Sequence, residues 1–203
     1  MAKIRFYNQW WNCVYLVLSD ILYTFEYMKF LIIGLLILCY HSSFAQKNKL
    51  YSSLAKANKA YEKGDFSKAK NFYKKALSFD SIYVRAYIQL ANIAIEEKQY
   101  EDGLKLINRA INLEVKTEND ELQLAYFYSI RSFCYYNLDQ TKESMEDISF
   151  AIKLNQENAS YYFMRSLMRR MLGDIKGCCQ DLKKSSELGN MTADEYLNIY
   201  CVK

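Results

Sequence analysis

From Leu50 onward, large apolar residues recur at intervals of three and four, as in Tyr87, Leu90, Ile93 and Ala94. That spacing lines up side chains on one face of a helix. Short polar breaks separate such stretches, Gly64-Asp65 and Gly173-Asp174 most clearly, and no proline occurs anywhere, so the commonest helix breaker is absent. The pattern predicts a nearly all-helical chain. It also repeats: Gly64-Asp65-Phe66, followed by Ala69, Tyr73, Ala76 and Leu77, returns as Gly173-Asp174-Ile175, followed by Cys178, Leu182, Ser185 and Ser186. The small residues near the end of each copy, Ala76, Ala110, Ala151 and Ser185, are 34, 41 and 34 residues apart.

A helix-turn-helix unit of 34 residues with small residues at fixed places resembles the tetratricopeptide repeat. The first copy, residues 50–83, has Ala57, Ala69 and Ala76 where the family packs its two helices together, and Ser81 where it usually has proline. The second, 84–117, has Tyr87, Leu90, Ala91, Tyr100 and Ala110 in place, but Lys98 replaces the turn glycine and Gly103 the usual alanine. The third, 125–158, carries Tyr128, Ser132, Tyr135, Ser144 and Ala151 around an Asp139–Thr141 turn; the fourth, 159–192, has Tyr162, Ser166, Gly173-Asp174, Leu182 and Leu188. The resemblance implies an all-α fold, a right-handed α-solenoid of about four repeats closed by a C-terminal capping helix. The physics agrees, since antiparallel helices approach closely only where small side chains meet. Seven extra residues separate repeats two and three, within 115–123, and acidic Glu118-Asn119-Asp120-Glu121 predicts either a surface loop or a longer following helix.

Residues 28–45 read as a signal peptide. Met28-Lys29 precedes an apolar stretch from Phe30 to Tyr40, and Ser43 and Ala45 form a small-x-small site, so cleavage is expected after Ala45. The apolar core is shorter than the roughly twenty residues that span a bilayer. Cys39 follows Leu38, where a lipoprotein signal requires a small residue, so lipidation is not expected. Residues 1–27 contain Trp10, Trp11 and Tyr15 but are interrupted by Asp20 and Glu26; they read as an upstream extension, with translation starting at Met28. The alternative takes residues 7–40 as an uncleaved membrane anchor, against which Asp20 counts.

Export would leave Cys134, Cys178, Cys179 and Cys201 in a compartment that permits disulfides. A helix over Ile175–Leu188, a turn at Gly189-Asn190 and a terminal helix from Thr192, with Thr192 and Glu195 spaced for a capping box, would set Cys201 opposite Cys178 and Cys179. Because Cys178 holds a small-residue position facing its own repeat, the expected bond is Cys179 with Cys201. Four buried thiols are the alternative. The terminal helix, residues 191–203, would cover the end of the stack with Tyr196, Leu197 and Tyr200.

Chemistry is marked by absence. The sole histidine, His41, lies in the leader, so beyond it no imidazole can act as base or metal ligand. Adjacent Cys178-Cys179 lacks the spacer of a redox or zinc motif, and no glycine-rich phosphate loop exists among six glycines. No enzyme, cofactor or metal is expected. Beyond residue 45, 24 Lys and Arg face 21 Asp and Glu, too even a balance to predict a nucleic-acid partner. The cluster Lys68, Lys70, Lys74 and Lys75 reads as a solvated helix face.

What the resemblance implies is a binding groove on the concave face, built from the first helix of each repeat. Its positions carry Asn58 and Tyr61, then Asn92, then Tyr126, Phe133 and Tyr136, then Phe163, Leu167 and Arg170. Leu54, Arg85, Ile88 and Gln89 belong to the same set. Asn58 and Asn92 can each donate and accept toward a peptide backbone. Chaperone-binding members grip a terminal carboxylate with cations, but Leu54, Tyr126 and Ile130 occupy those places here, which argues against that ligand. The expectation is a non-catalytic, exported scaffold binding a protein or peptide, with a membrane involved only if the leader is retained. A tethered structural subunit of an envelope or secretion assembly is the second reading. Some groove residues could instead only pack between repeats.

Overall fold

The computed structural model of the chain describes residues 2–114 and 120–201. Val115–Asn119, holding Glu118 and Asn119 of the acidic run, fall outside the described residues. So do the side chains of residues 1–27 and of Cys39, on which the upstream-extension and lipidation readings turn. The chain divides into two units, Met1–Lys49 and Leu50–Lys203. Helix α1, Ala2–Glu62, covers the first unit, and its residues from Leu50 belong to the second. In the first unit Ile32, Ile33, Leu35, Leu36, Ile37 and Leu38 are exposed. Among the described residues, no helix is long and apolar enough to cross a membrane.

The second unit is the predicted all-α solenoid. After α1 come α2 (Phe66–Phe79), α3 (Val84–Glu96), α4 (Tyr100–Glu114), α5 (Glu121–Asn137), α6 (Thr141–Leu154), α7 (Ala159–Met171), α8 (Ile175–Glu187) and α9 (Met191–Tyr200). Each helix packs on its neighbours in chain order. Asp120 caps α5 by accepting from the Leu122 and Gln123 amides. Of the two expectations for the insertion, therefore, its described end is the longer helix: α5 begins four residues before Ala125. At α9 the expected capping box does not form. Asn190 is the cap, accepting from the Thr192 amide, because the helix starts at Met191, two residues earlier than a Thr192 cap would allow.

The small positions do what their spacing predicts. Ala57, Ala91, Ser132 and Ser166 on the first helices are fully buried, as are Ala76, Ala110, Ala151 and Ser185 on the second. Opposite the first set stand Ala69, Gly103, Ser144 and Cys178, also buried. A Cβ added at Gly103 would meet the Cys134 Sγ at 3.2 Å, which explains glycine where alanine is usual: the next repeat's thiol fills the space. Burial pushes that thiol up to about 12, so it stays protonated. In repeat three the two hydroxyls cross, Ser132 donating to the Ser144 carbonyl at 2.9 Å and Ser144 to the Ser132 carbonyl at 2.8 Å.

One further pair recurs sixteen residues apart in every repeat. In repeats three and four it is an ionic fork: Arg131 donates to both oxygens of Asp147 at 2.6 and 2.7 Å, and Arg165 to both of Asp181 at 2.8 and 2.7 Å. The same positions hold Leu90 and Leu106 in one apolar cluster in repeat two, and Lys56 over the Phe72 ring in repeat one. Both carboxylates are almost fully buried, and the forks supply the hydrogen bonds that such burial requires.

Cys179 and Cys201 form a disulfide, with Cα atoms 5.7 Å apart, that ties α9 to α8. Cys134 and Cys178 are buried free thiols. Beneath α9, Leu182, Cys178 and Ala193 form a small cluster with Phe163, Tyr196 and Leu197 around it, so the terminal helix covers the end of the stack.

Turn residues Gly64, Lys98, Asp139 and Gly173 all have positive φ, 73°, 60°, 59° and 79°. Lys98 and Asp139 therefore hold a left-handed conformation that disfavours a Cβ, and lysine lacks the short polar side chain that eases it for aspartate. Lys98→Gly is expected to raise stability by about 1 kcal/mol and Asp139→Gly by less, read as shifts of the urea unfolding midpoint. Equal or reversed shifts would contradict this assignment of strain.

Candidate functional site

The first helices of repeats one to three enclose an open hollow of about 510 Å³. Its polar lining comes from Asn58 on α1, Arg85 and Gln89 on α3, and Asp120 and Gln123 at the start of α5. Leu54, Ile88 and Phe127 form apolar floor, and Tyr73, Tyr83, Leu122 and Tyr126 complete the wall. Helical geometry places them together: Arg85, Ile88 and Gln89 stand three and four apart on α3, as do Leu54 and Asn58 on α1.

Hydrogen bonds fix part of the lining. Tyr73 donates its phenol to the Asn58 Oδ1 at 2.7 Å, a bond that does not use the two N–H donors of the Asn58 amide. Burial, with Tyr61 and Glu62 nearby, pushes the Tyr73 phenol up to about 12. Asn92 donates to the Tyr126 hydroxyl at 3.4 Å. Tyr61 adjoins this group: burial first, then Glu96 and Tyr126, raise its pKa. The Tyr61 and Tyr73 phenols are therefore neutral at physiological pH.

The structure thus gathers four of the expected groove residues, Asn58, Tyr61, Asn92 and Tyr126, at the amino-terminal half of the solenoid. The other five divide. Phe133 is 38 % exposed, its ring 6.4 Å from that of Tyr100. Tyr136 and Leu167 are half-buried against the third apolar cluster. The Phe163 ring lies 5.1 Å from Tyr196, and the Arg170 guanidinium lies 4.6 Å from the Tyr200 ring, so α9 engages both. Packing therefore accounts for much of the aromatic, carboxy-terminal half. Leu54 and Ile130 are buried, and with Tyr126 they place no cation where a carboxylate clamp would need one.

Asp120, Leu122 and Gln123 in the hollow escape the sequence reading, which starts repeat three at Ala125; Phe127 lies within that repeat but off its groove positions. The available signal was Asp120 four residues before an apolar series at helical spacing, Leu124, Phe127 and Tyr128, an N-cap pattern hidden by the acidic run. Tyr73 and Tyr83 escape it because neither belongs to a first helix. Among the described residues, no group of three or more His, Cys, Asp or Glu could hold a metal ion.

A tetratricopeptide repeat family model matches residues 60–125. Heat shock protein STI1 of Saccharomyces cerevisiae is 29 % identical over 120 residues, covering 58 % of this chain and 19 % of that protein. Hsc70-interacting protein 1 of Drosophila melanogaster is 25 % identical over 128 residues, covering 63 % of this chain and 32 % of its own. The chain thus spans at most about a third of the length of these two relatives. Among solved structures, the MamA protein superposes with a TM-score of 0.66 at 20 % identity, over 76 % of this chain and 81 % of that one. YrrB, described as a tetratricopeptide protein with an unusual peptide-binding site, gives 0.57 at 19 % identity over 68 % and 67 %. At those identities the likeness is one of fold.

Proposed function

This chain belongs to the tetratricopeptide-repeat family, and from that premise we propose that it is a non-catalytic scaffold holding an extended peptide of a partner protein in the hollow between repeats one and three. The observation that carries the proposal is the lining itself: amide, phenol and guanidinium groups from three repeats converge over an apolar floor. A few fixed polar groups over apolar surface suit backbone recognition with side-chain pockets between. The relatives named for Hsc70 interaction and the peptide-binding YrrB support a protein or peptide as the ligand class. Neutral residues at the clamp positions favour an internal peptide segment over a free carboxyl terminus.

Export of the mature chain from Gln46 is part of the same reading. It is supported by the signal-like order of residues 28–45, by the exposure of Leu35, Leu36 and Leu38, and by a disulfide that an oxidising compartment would preserve. Amino-terminal sequencing of protein isolated from its native cells should begin at Gln46. An intact leader would instead support the tethered subunit.

Binding should respond to the hollow and not to the buried aromatics. With peptides selected from a display library on the purified protein, Tyr126→Ala and Arg85→Ala are each expected to weaken affinity tenfold or more with the melting temperature little changed. Phe163→Ala should instead cost about 3 kcal/mol of stability, because it removes the half-buried ring under α9. Peptides that bind Tyr126→Ala and Arg85→Ala as tightly as wild type would place the site elsewhere.

A further inference from the structure

Charge is distributed unevenly along the solenoid. Residues 50–75 carry seven lysines against only Glu62 and Asp65, a net +5, whereas residues 76–203 carry 15 Lys and Arg against 19 Asp and Glu. The near-neutral total conceals this polarity. Lys56 and Lys59 stand three apart on α1, Lys63 follows in the turn after it, and Lys68, Lys74 and Lys75 lie on α2; all six are exposed. Lys70 is the exception, paired with Glu97 at 2.6 Å.

The repeat register shows why part of this face is polar. Lys59 occupies the position of Ile93, Cys134 and Met168, each fully buried against the preceding repeat. Lys56 matches buried Leu90. Repeat one has no preceding repeat to cover these sites, so polar residues there are expected of a terminal unit. Capping needs only polarity, however, and a mixture of signs would serve. A surface with seven lysines against only Glu62 and Asp65 calls for an anionic partner, because the excess of like charge repels itself.

We propose that the lysine face of repeat one docks on an anionic lipid surface. Three observations favour lipid over nucleic acid or protein. Every cation in the patch is lysine, a compact hydrated point charge suited to diffuse surface charge, with none of the arginine forks that read phosphates or bases in defined geometry. None of the six lysines lines the hollow, so this face can engage a surface while the hollow holds a peptide. The patch is also broad, covering both helices of one repeat, with Phe72 half-buried between them beneath Lys56. Lysines near an anionic bilayer add roughly a fivefold affinity gain each, an effect that fades with salt.

The test uses the full chain with vesicles of phosphatidylcholine alone or with 30 mol % phosphatidylglycerol, so that any binding through the apolar leader is common to both. Half-maximal binding should need at least tenfold less lipid on the anionic vesicles, and 0.5 M salt should abolish the difference. The combined variant Lys59→Gln, Lys63→Gln, Lys68→Gln and Lys75→Gln, with an unchanged melting curve, should abolish it too. Amine-reactive footprinting gives a second readout that leader insertion cannot mask: Lys59, Lys63, Lys68 and Lys75 should be protected on anionic vesicles only. Equal binding with equal labelling on both vesicles would overturn the proposal. So would lysine-dependent binding to a DNA duplex, or lysine-dependent self-association, without a vesicle preference.

Discussion

The second unit depends on one constraint: two helices can lie close together only where neither offers a large side chain to the other. Three positions per repeat meet it, and a 34-residue register, lengthened once to 41, returns each to the same place. The twelve residues concerned are alanine, serine, glycine or cysteine, and all are buried. Because each pair closes to a similar extent, the first helices of successive repeats stand side by side. That alignment lets Asn58, Arg85 and Tyr126, from three different repeats, share one hollow.

The constraint concerns volume and leaves chemistry free, which is why the repeats diverge without losing register. Glycine at 103 is matched by the thiol of Cys134, and serines at 132 and 144 satisfy each other's hydroxyls through the opposite backbone. The pair sixteen residues apart passes from lysine over phenylalanine, through leucine with leucine, to arginine with aspartate. Each version fills similar space between the two helices. In the ionic versions the buried carboxylates have guanidinium partners in good geometry, the condition under which a buried charge is tolerated. Among the described residues, no buried side-chain nitrogen or oxygen lacks a partner.

Fold and register were legible because small residues and turn glycines leave a signal that recurs at fixed separation. The Cys179–Cys201 bond was legible for a related reason: a helix hairpin about Gly189-Asn190 leaves few residues able to meet. Legibility failed where two structural demands overlap in one segment. Asp120 is both part of an acidic run and an N-cap, so charge hid the start of α5. Phe163 and Arg170 sit at groove positions by register, yet they serve the terminal helix because repeat four has no successor to pack against. Register names a position; what covers that position depends on its place in the stack.

The central claim is that side-chain volume at the helix crossings holds the repeats in line, and Ala91→Leu tests it most directly. Ala91 is fully buried, and its carbonyl lies 3.7 Å from where a Cβ on Gly103 would stand. Equilibrium urea unfolding of this variant is predicted to show a loss of about 2 kcal/mol, since added methylenes must force the two helices of repeat two apart. A midpoint and slope indistinguishable from wild type would show that the crossing accommodates bulk, and would contradict the account.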